Sequence, residues 1–232
     1  MLIPITRQKF EQLIPLIATS AQYSYYWGKV SDFLKRLLIS VVAVVVVLVV
    51  GGLLGQGFDA LRLVFSIIAG LYWFWSPVYW ASRRNIEVRR YKYSGFWRGE
   101  VLDVFVTEEL IGTEETVNNR GELVIVENRE RRLNLEVGDE TGFATLLQAP
   151  LRRTHKGIAP GQIAEMLVMS NQPDLARIAK TSDIYIPRLD AWVSDYPYLQ
   201  RNIFSQVSRT LNKADEEDYP TQRVVKSKRR GR

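Results

Sequence analysis

The residue types that carry out most enzymatic chemistry are scarce in this sequence. Its 232 residues include no cysteine and a single histidine, His155. The lack of cysteine excludes thiolate nucleophiles, disulfides and cysteine-type zinc sites. His155 lies within the basic stretch 152–156, where neighbouring cations disfavour protonation of its ring. We therefore expect a histidine in a surface loop and not a catalytic base.

The acidic pairs Glu108–Glu109 and Glu114–Glu115 are the next candidates, because paired carboxylates can hold a divalent cation. Consecutive residues of a strand point to opposite faces, however, so neither pair gathers its carboxylates around one ion. Glycine-rich phosphate loops and the G-x-S-x-G and H-E-x-x-H motifs are absent. The sequence therefore predicts a protein that is not an enzyme and holds no cofactor or metal.

Two groups of residues are instead suited to contacts within a membrane. Gly51 and Gly55 have the GxxxG spacing that lets helices approach closely, although glycines also simply end helices. Aromatic rings favour the lipid headgroup region, so the second group could form an aromatic belt. The belt is the favoured interpretation, but six rings over nine residues cannot all share one depth, which keeps open a surface for a pigment or for a partner's transmembrane helix. The second group is Tyr72, Trp73, Phe74, Trp75, Tyr79 and Trp80.

Apart from Gly55, which is the first residue of the connection, these residues lie on two apolar runs, 37–54 and 63–81, which contain no charged residue and are separated by eight residues. As helices the runs would be about 27–28 Å long, close to the ~30 Å hydrocarbon core of a bilayer. The sequence thus predicts a transmembrane hairpin within residues 31–82, with a kink at Ser76–Pro77 in the second helix. Spans without ionisable residues argue against an autonomous transporter.

The basic residues beside the two runs predict the orientation of the hairpin. The connection between the runs offers only Arg62, next to Asp59. By the positive-inside bias, both termini lie on the cytoplasmic side, or on the stromal side of an organelle. The flanking cations are Lys29, Lys35, Arg36, Arg83, Arg84, Arg89, Arg90 and Lys92.

The remaining segments predict an α+β membrane protein. Residues 1–30 form an N-terminal cytoplasmic segment with a short amphipathic helix over about 7–14. Residues 94–213 form a cytoplasmic domain, a small antiparallel sheet or barrel covered by C-terminal helices. We expect helices from Pro160 onward, the last of them over about 199–211. The expected strands are 101–108, 122–128, 131–137 and 143–148.

Residues 215–232 carry blocks of like charge and few apolar residues, which predicts a disordered tail. The whole chain has a net charge of +6, and the cations of this tail could contact anionic lipid headgroups; a solubilising tail is the alternative. Nucleic-acid binding is not expected of a membrane protein of this kind. The lipid-contact candidates are Lys226, Lys228, Arg229, Arg230 and Arg232.

The order of these parts resembles a cyanobacterial family of two-span thylakoid membrane proteins. The resemblance rests on YSYYWGKVSDFLKRLL, the valine-rich run, the aromatic run ending in SPVYWASRRN, and RGEVLDVFV. Members often carry the label phosphate ABC transporter permease, and a chloroplast relative is named resistance to Phytophthora 1. The resemblance implies a thylakoid location and a role in photosystem biogenesis, around photosystem II, but supplies no catalytic residues.

Three hypotheses follow. The first is a non-enzymatic protein that assists photosystem assembly by contacting integral membrane proteins of the photosynthetic apparatus. The second is an accessory subunit of a membrane transporter or channel. The third is a module that binds lipid surfaces.

Overall fold

The computed structural model describes residues 1–54, 56–117, 121 and 123–218, and of residues 56, 114 and 212–218 it describes the backbone only. The chain divides into two compact units. The sheet unit consists of Met1–Leu13, Tyr91–Asp195 and the described residues from Leu199 onward. The helical unit consists of Ile14–Arg90 and Tyr196–Tyr198.

The sheet unit is built on an antiparallel sheet in which the strand order is β4-β3-β2-β5-β6-β7, and β1 also pairs with β2. Strand β2 is long enough to pair with β5 along its first third and with β3 along the remainder. The α+β class with an antiparallel sheet is confirmed. The strands are β1 (Leu2–Ile5), β2 (Tyr93–Val117), β3 (Leu123–Gly138), β4 (Ala144–Pro150), β5 (Ile163–Ser170), β6 (Lys180–Ile186) and β7 (Ala191–Val193).

The core of this unit needs a glycine where two strands and an indole meet. A Cβ built on Gly99 would lie 2.3 Å from the carbonyl oxygen of Gly138 and 2.4 Å from the Trp97 ring. The indole Nε1 of Trp97 donates a hydrogen bond of 2.6 Å to the carboxylate of Asp139. Trp97 is thus fixed between an apolar core and one polar partner, which is the usual arrangement for a buried tryptophan.

The helices predicted between Pro160 and residue 193 are wrong, because β5, β6 and β7 lie there. Ile163, Met166 and Leu167 have helical spacing, but β5 is buried on both faces from Ala164 to Ser170. A strand covered on both faces is a continuous apolar run and lacks the alternation that identifies a strand with one wet face. The break predicted at 129–130 is also absent, since β3 is continuous.

Two helices of the sheet unit agree with the sequence pattern. Helix α1 (Arg7–Leu13) buries Phe10 and Leu13. Helix α6 (Arg201–Asp218) buries Phe204, which stacks on Phe96 of β2 with ring centroids 5.4 Å apart. Amphipathic spacing predicted both helices because each has one apolar stripe against the sheet unit and one wet face.

The helical unit contains α2 (Ser20–Trp27), α3 (Val30–Leu54), α4 (Asp59–Gly70) and α5 (Tyr72–Arg89). Only α3 is by itself long and apolar enough to cross a membrane among the described helices. The second apolar run is divided between α4 and α5, whose axes are bent by 72° at Leu71. By length and composition the chain therefore has one candidate span, or two if the bent pair counts as one.

Candidate interaction surfaces

The bend between α4 and α5 lies at Leu71, not at the predicted Ser76–Pro77 site, since Pro77 lies inside the continuous helix α5. Leu71 is the C-cap of α4 and the N-cap of α5. Its N–H donates a hydrogen bond to the carbonyl of Ile67, and its own carbonyl accepts hydrogen bonds from the N–H groups of Phe74 and Trp75. Proline is tolerated in the first turns of a helix because its missing N–H has no partner there. Pro77, the sixth residue of α5, lies beyond that turn, yet α5 continues through it without a break.

Two side chains satisfy further backbone groups at this break. The hydroxyl of Ser40, in α3, accepts a hydrogen bond of 3.1 Å from the N–H of Trp73. The indole N–H of Trp75 donates 2.9 Å to the carbonyl of Ile68. Helix ends leave backbone donors and acceptors without intrahelical partners, and these are costly in apolar surroundings. Ser40 and Trp75 thus stabilise the broken geometry.

Five of the six clustered aromatic residues, all except Phe74, are the candidates for partner contacts, and they separate into two groups. Trp73 packs inside the helical unit, with its ring centroid 5.7 Å from Phe33 and 6.2 Å from Trp27. The other four form a ladder along α5: Tyr72 contacts Trp75, Trp75 contacts Tyr79, and Tyr79 contacts Trp80, with centroid distances of 5.2, 6.1 and 5.4 Å. Tyr79 and Trp80 are exposed. Trp73 therefore contributes to the packing of the helical unit, whereas the ladder remains available to a ligand.

The glycine pair has one member in a helix contact. Gly51 is buried in α3, and a Cβ placed on it would lie 2.7 Å from the Arg62 side chain of α4. Gly55 lies outside the described residues. Arg62 is paired with Asp59 at 2.9 Å, so the only cation of the connection is partly neutralised.

A buried polar cluster in the helical unit went unrecognised in the sequence. The side-chain amides of Gln22 and Asn85 exchange two hydrogen bonds, of 3.0 and 2.8 Å. Gln22 also donates 2.8 Å to the carbonyl of Pro197. The hydroxyl of Tyr198 accepts 2.9 Å from Arg84, whose guanidinium lies 4.2 Å from the centre of the Tyr196 ring. These contacts hold residues 196–198 against α2 and α5. The hydrogen-bonded residues are 63 or more positions apart in sequence, so no local sequence pattern predicts the cluster.

The most exposed feature of the sheet unit is a two-stranded arm, which we call the ribbon, made of residues 108–117 and 123–131. β5 pairs with β2 only up to Glu100, and β4 pairs with β3 only from Arg132. The ribbon therefore has no third strand among the described residues. At about 3.3 Å per residue its ten-residue strand extends about 33 Å. Isolated two-stranded ribbons are marginally stable in water.

The ribbon carries apolar side chains where a solvated arm should be polar. Val117 pairs with Leu123, and Ile125 lies two residues further along the same face. These side chains are 60%, 75% and 69% exposed, and Val124 and Val126 are exposed on the opposite face. Clustered exposed apolar residues mark an interaction surface. The sequence shows these residues as an ordinary strand, and only the lack of covering elements exposes them.

The base of the ribbon holds the acidic pair Glu108–Glu109. Both carboxylates face arginines of β3, Glu109 at 3.3 Å from Arg132 and Glu108 at 4.0 Å from Arg131. Exposed pairs of this kind contribute little stability each. These ion pairs make the base of the ribbon polar, whereas its most exposed apolar side chains lie at the end far from the base.

His155 is buried, so the predicted surface position is wrong. Its Nδ1 accepts a hydrogen bond of 3.3 Å from the N–H of Arg152, and its Nε2 lies 3.2 Å from the carbonyl oxygen of Trp192. This arrangement requires the proton on Nε2. Burial lowers the pKa of His155, and the charge of Arg152 acts in the same direction, against the Trp192 carbonyl. The neutral ring therefore links its own 3₁₀ turn to β7 through these two hydrogen bonds.

Other buried charges in the sheet unit pair with one another. Glu165 is fully buried with the Arg98 guanidinium at 3.8 Å. Arg201 lies 5.3 Å from the Trp192 ring centre, and burial lowers its pKa while Asp183 opposes this. No group of three or more metal-ligating side chains occurs among the described residues. The tail candidates Lys226, Lys228, Arg229, Arg230 and Arg232 lie outside those residues.

Comparison with known proteins gives one match. The model of a family of unknown function, DUF8619, matches residues 3–217. The chain belongs to this family. No curated protein and no solved structure matches the chain. The match extends over both compact units, so the combination of helical unit and sheet unit is a property of the family.

Proposed function

We propose that this protein is a non-enzymatic, membrane-anchored protein-binding module that helps photosystem subunits, those of photosystem II foremost, to accumulate or assemble in the thylakoid membrane. The exposed apolar half of the ribbon carries the proposal, because it is a surface built for a partner and not for catalysis. The resemblance to thylakoid two-span proteins supports the location and the partner class. Helix α3 supports the anchorage.

In this proposal α3 and the bent pair α4–α5 carry the chain into the membrane and back, and both termini face the cytoplasm or stroma. The cations flanking α3 and α5 support this orientation. The pairing of Arg62 with Asp59 at 2.9 Å reduces the charge to be moved across the membrane at the tip. The ribbon then belongs to the same side as the termini and meets partners at the membrane surface.

The contribution of the ribbon can be estimated from its side chains. Burying one leucine or isoleucine side chain that is exposed in the free protein contributes about 1.5–3 kcal/mol. Leu123 and Ile125, which are the two most exposed large apolar side chains of the ribbon, together provide about 3–6 kcal/mol by the same estimate. This corresponds to at least about a hundredfold in affinity.

Affinity purification of the full chain from mild-detergent membranes tests the proposal. We expect photosystem subunits to co-purify with the natural chain and to be lost from the double variant Leu123→Ser/Ile125→Ser. The control is Leu146→Ser, which alters another exposed apolar side chain, on β4, and should retain the partners. A deletion strain should accumulate less photosystem II.

Two results would overturn the proposal. Recovery of unrelated proteins together with normal photosystem levels in the deletion strain would exclude the assembly role. Co-purification with a permease, with an ion-flux defect and intact photosystems, would establish the transporter-accessory hypothesis in its place.

A further inference from the structure

Helix α5 has a packed face and an outward face of different chemistry. Its packed face buries Ser76, Pro77, Ala81, Asn85 and Val88 within the helical unit. At 100° per residue, the opposite face is aromatic along its first half and mainly cationic along its second. The outward residues are Tyr72, Trp75, Tyr79, Arg83, Ile86 and Arg90.

The hydrogen bond between Ser40 and Trp73 fixes where α5 begins relative to α3. Ser40 lies four residues beyond Arg36, which is about 6 Å along the helix axis. The Arg36 guanidinium donates to the carbonyls of Tyr26 and Trp27 and lies 5.2 Å from the centre of the Trp27 ring. Ser40 is the fourth residue of the uncharged apolar run 37–54, so α5 starts near the end of that run that adjoins Lys35 and Arg36.

The lengths and the bend show that α5 adds little to a span. The 12 residues of α4 make about 18 Å of helix, less than the ~30 Å hydrocarbon core. The 18 residues of α5 make about 27 Å. At 72° to α4, this length advances only about 8 Å along the α4 axis. Helix α4 would therefore return the chain across most of the apolar layer, and α5 would then run at a steep angle to α4, close to the plane of the membrane.

We propose that α5 lies along the membrane surface, on the side where α3 begins, with its outward face among lipid headgroups. The aromatic rings of the ladder then share one depth, which a straight span would not allow, and amphipathic rings favour that depth. Arg83 and Arg90 face the phosphates of the lipids, and the exposed carboxylate of Glu87 lies 3.8 Å from the guanidinium of Arg83. Arg83 also lies 5.6 Å from the Trp80 ring centre, next to the ladder. The inference rests on the proposed membrane anchorage and not on the proposed protein partner.

The absence of cysteine allows a depth measurement with single nitroxide labels on the full chain. Labels at Tyr79→Cys and Ile86→Cys report on α5, and labels at Val42→Cys, Val46→Cys and Val50→Cys are matched controls on the exposed face of α3. The variants are reconstituted in vesicles of phosphatidylcholine with phosphatidylglycerol. Collision with oxygen and with a water-soluble nickel chelate gives each depth.

The two arrangements of α5 predict different depths. The α3 labels should move by about 6 Å per step of four residues. On a surface helix at 72° to α4, the labels at 79 and 86 should differ in depth by about 3 Å, both near the phosphates, whereas a straight span separates them by about 10 Å. A separation near 10 Å, with one label near the bilayer centre, would overturn the proposal.

Two other outcomes also count against it. Labels at 79 and 86 that contact water and not lipid would show that α5 does not lie among the headgroups. Control labels that never reach the apolar layer would refute the membrane anchorage itself. Because the vesicles contain no other protein, failure here leaves the capture of partners through the ribbon to be judged separately.

The role of the two arginines has its own test. In the double variant Arg83→Gln/Arg90→Gln, collision of the label at 86 with the nickel chelate should rise severalfold in anionic vesicles as the second half of α5 loosens from the surface. The control Arg7→Gln, which alters an exposed cation of α1, should leave it unchanged. An unchanged collision rate in the double variant would refute the headgroup pairing.

Discussion

Removal of the Ser40 hydroxyl should loosen the break between α4 and α5. Ser40 is almost fully buried, and its oxygen accepts 3.1 Å from the N–H of Trp73 while its own proton goes to the carbonyl of Arg36. In Ser40→Ala the Trp73 N–H loses its acceptor in surroundings that water does not reach. A buried donor left without a partner costs about 1–3 kcal/mol. This corresponds to about a 5–150-fold change in a local opening equilibrium.

Amide hydrogen exchange of the full chain in mild detergent measures this opening directly. The segment 71–75 should exchange about 5–150-fold faster in Ser40→Ala. Ser40→Thr, which keeps a hydroxyl, should restore protection. The control is Ser66→Ala in α4, since the Ser66 hydroxyl has no hydrogen-bond partner within the described residues. Equal exchange in Ser40→Ala and Ser66→Ala would show that the hydroxyl does not stabilise the break.

Three further predictions concern stability. Gly99→Ala should destabilise the sheet unit by about 1–3 kcal/mol through overpacking, as measured by urea unfolding. The control Gly112→Ala should cost much less stability, because a Cβ there meets open space. Similar unfolding midpoints for the two variants would contradict the prediction. Because burial lowers the pKa of His155, the folded state favours the neutral ring, so stability should be full above about pH 6.5 and fall as the pH drops below it. A His155→Gln variant should lose this component of the pH dependence, and an unchanged profile would refute it. Gln22→Leu should destabilise the helical unit by about 1–3 kcal/mol, because it leaves the Asn85 amide without its partner. The double variant Gln22→Leu/Asn85→Leu should recover part of this stability in thermal unfolding. Simply additive losses in the double variant would contradict the prediction.

The sequence by itself determined the features that depend on local pattern. Uncharged apolar runs identified α3, because length and hydrophobicity alone decide whether a helix matches a bilayer. Alternation identified the strands with one wet face, and amphipathic spacing identified α1 and α6. The residues that the sequence lacks, notably cysteine, limited the available chemistry without any knowledge of the fold.

The tertiary structure decided what depends on distant neighbours. β5 was mistaken for a helix because residues from other elements cover both its faces, so its own pattern carried no alternation. The bend fell at Leu71 and not at Pro77, because Ser40 in another helix supplies an acceptor there. The ribbon residues read as ordinary strand, and only the end of pairing at Glu100 and Arg132 exposes them. Covering, capping and exposure depend on contacts between segments far apart in the chain, and local periodicity does not encode such contacts.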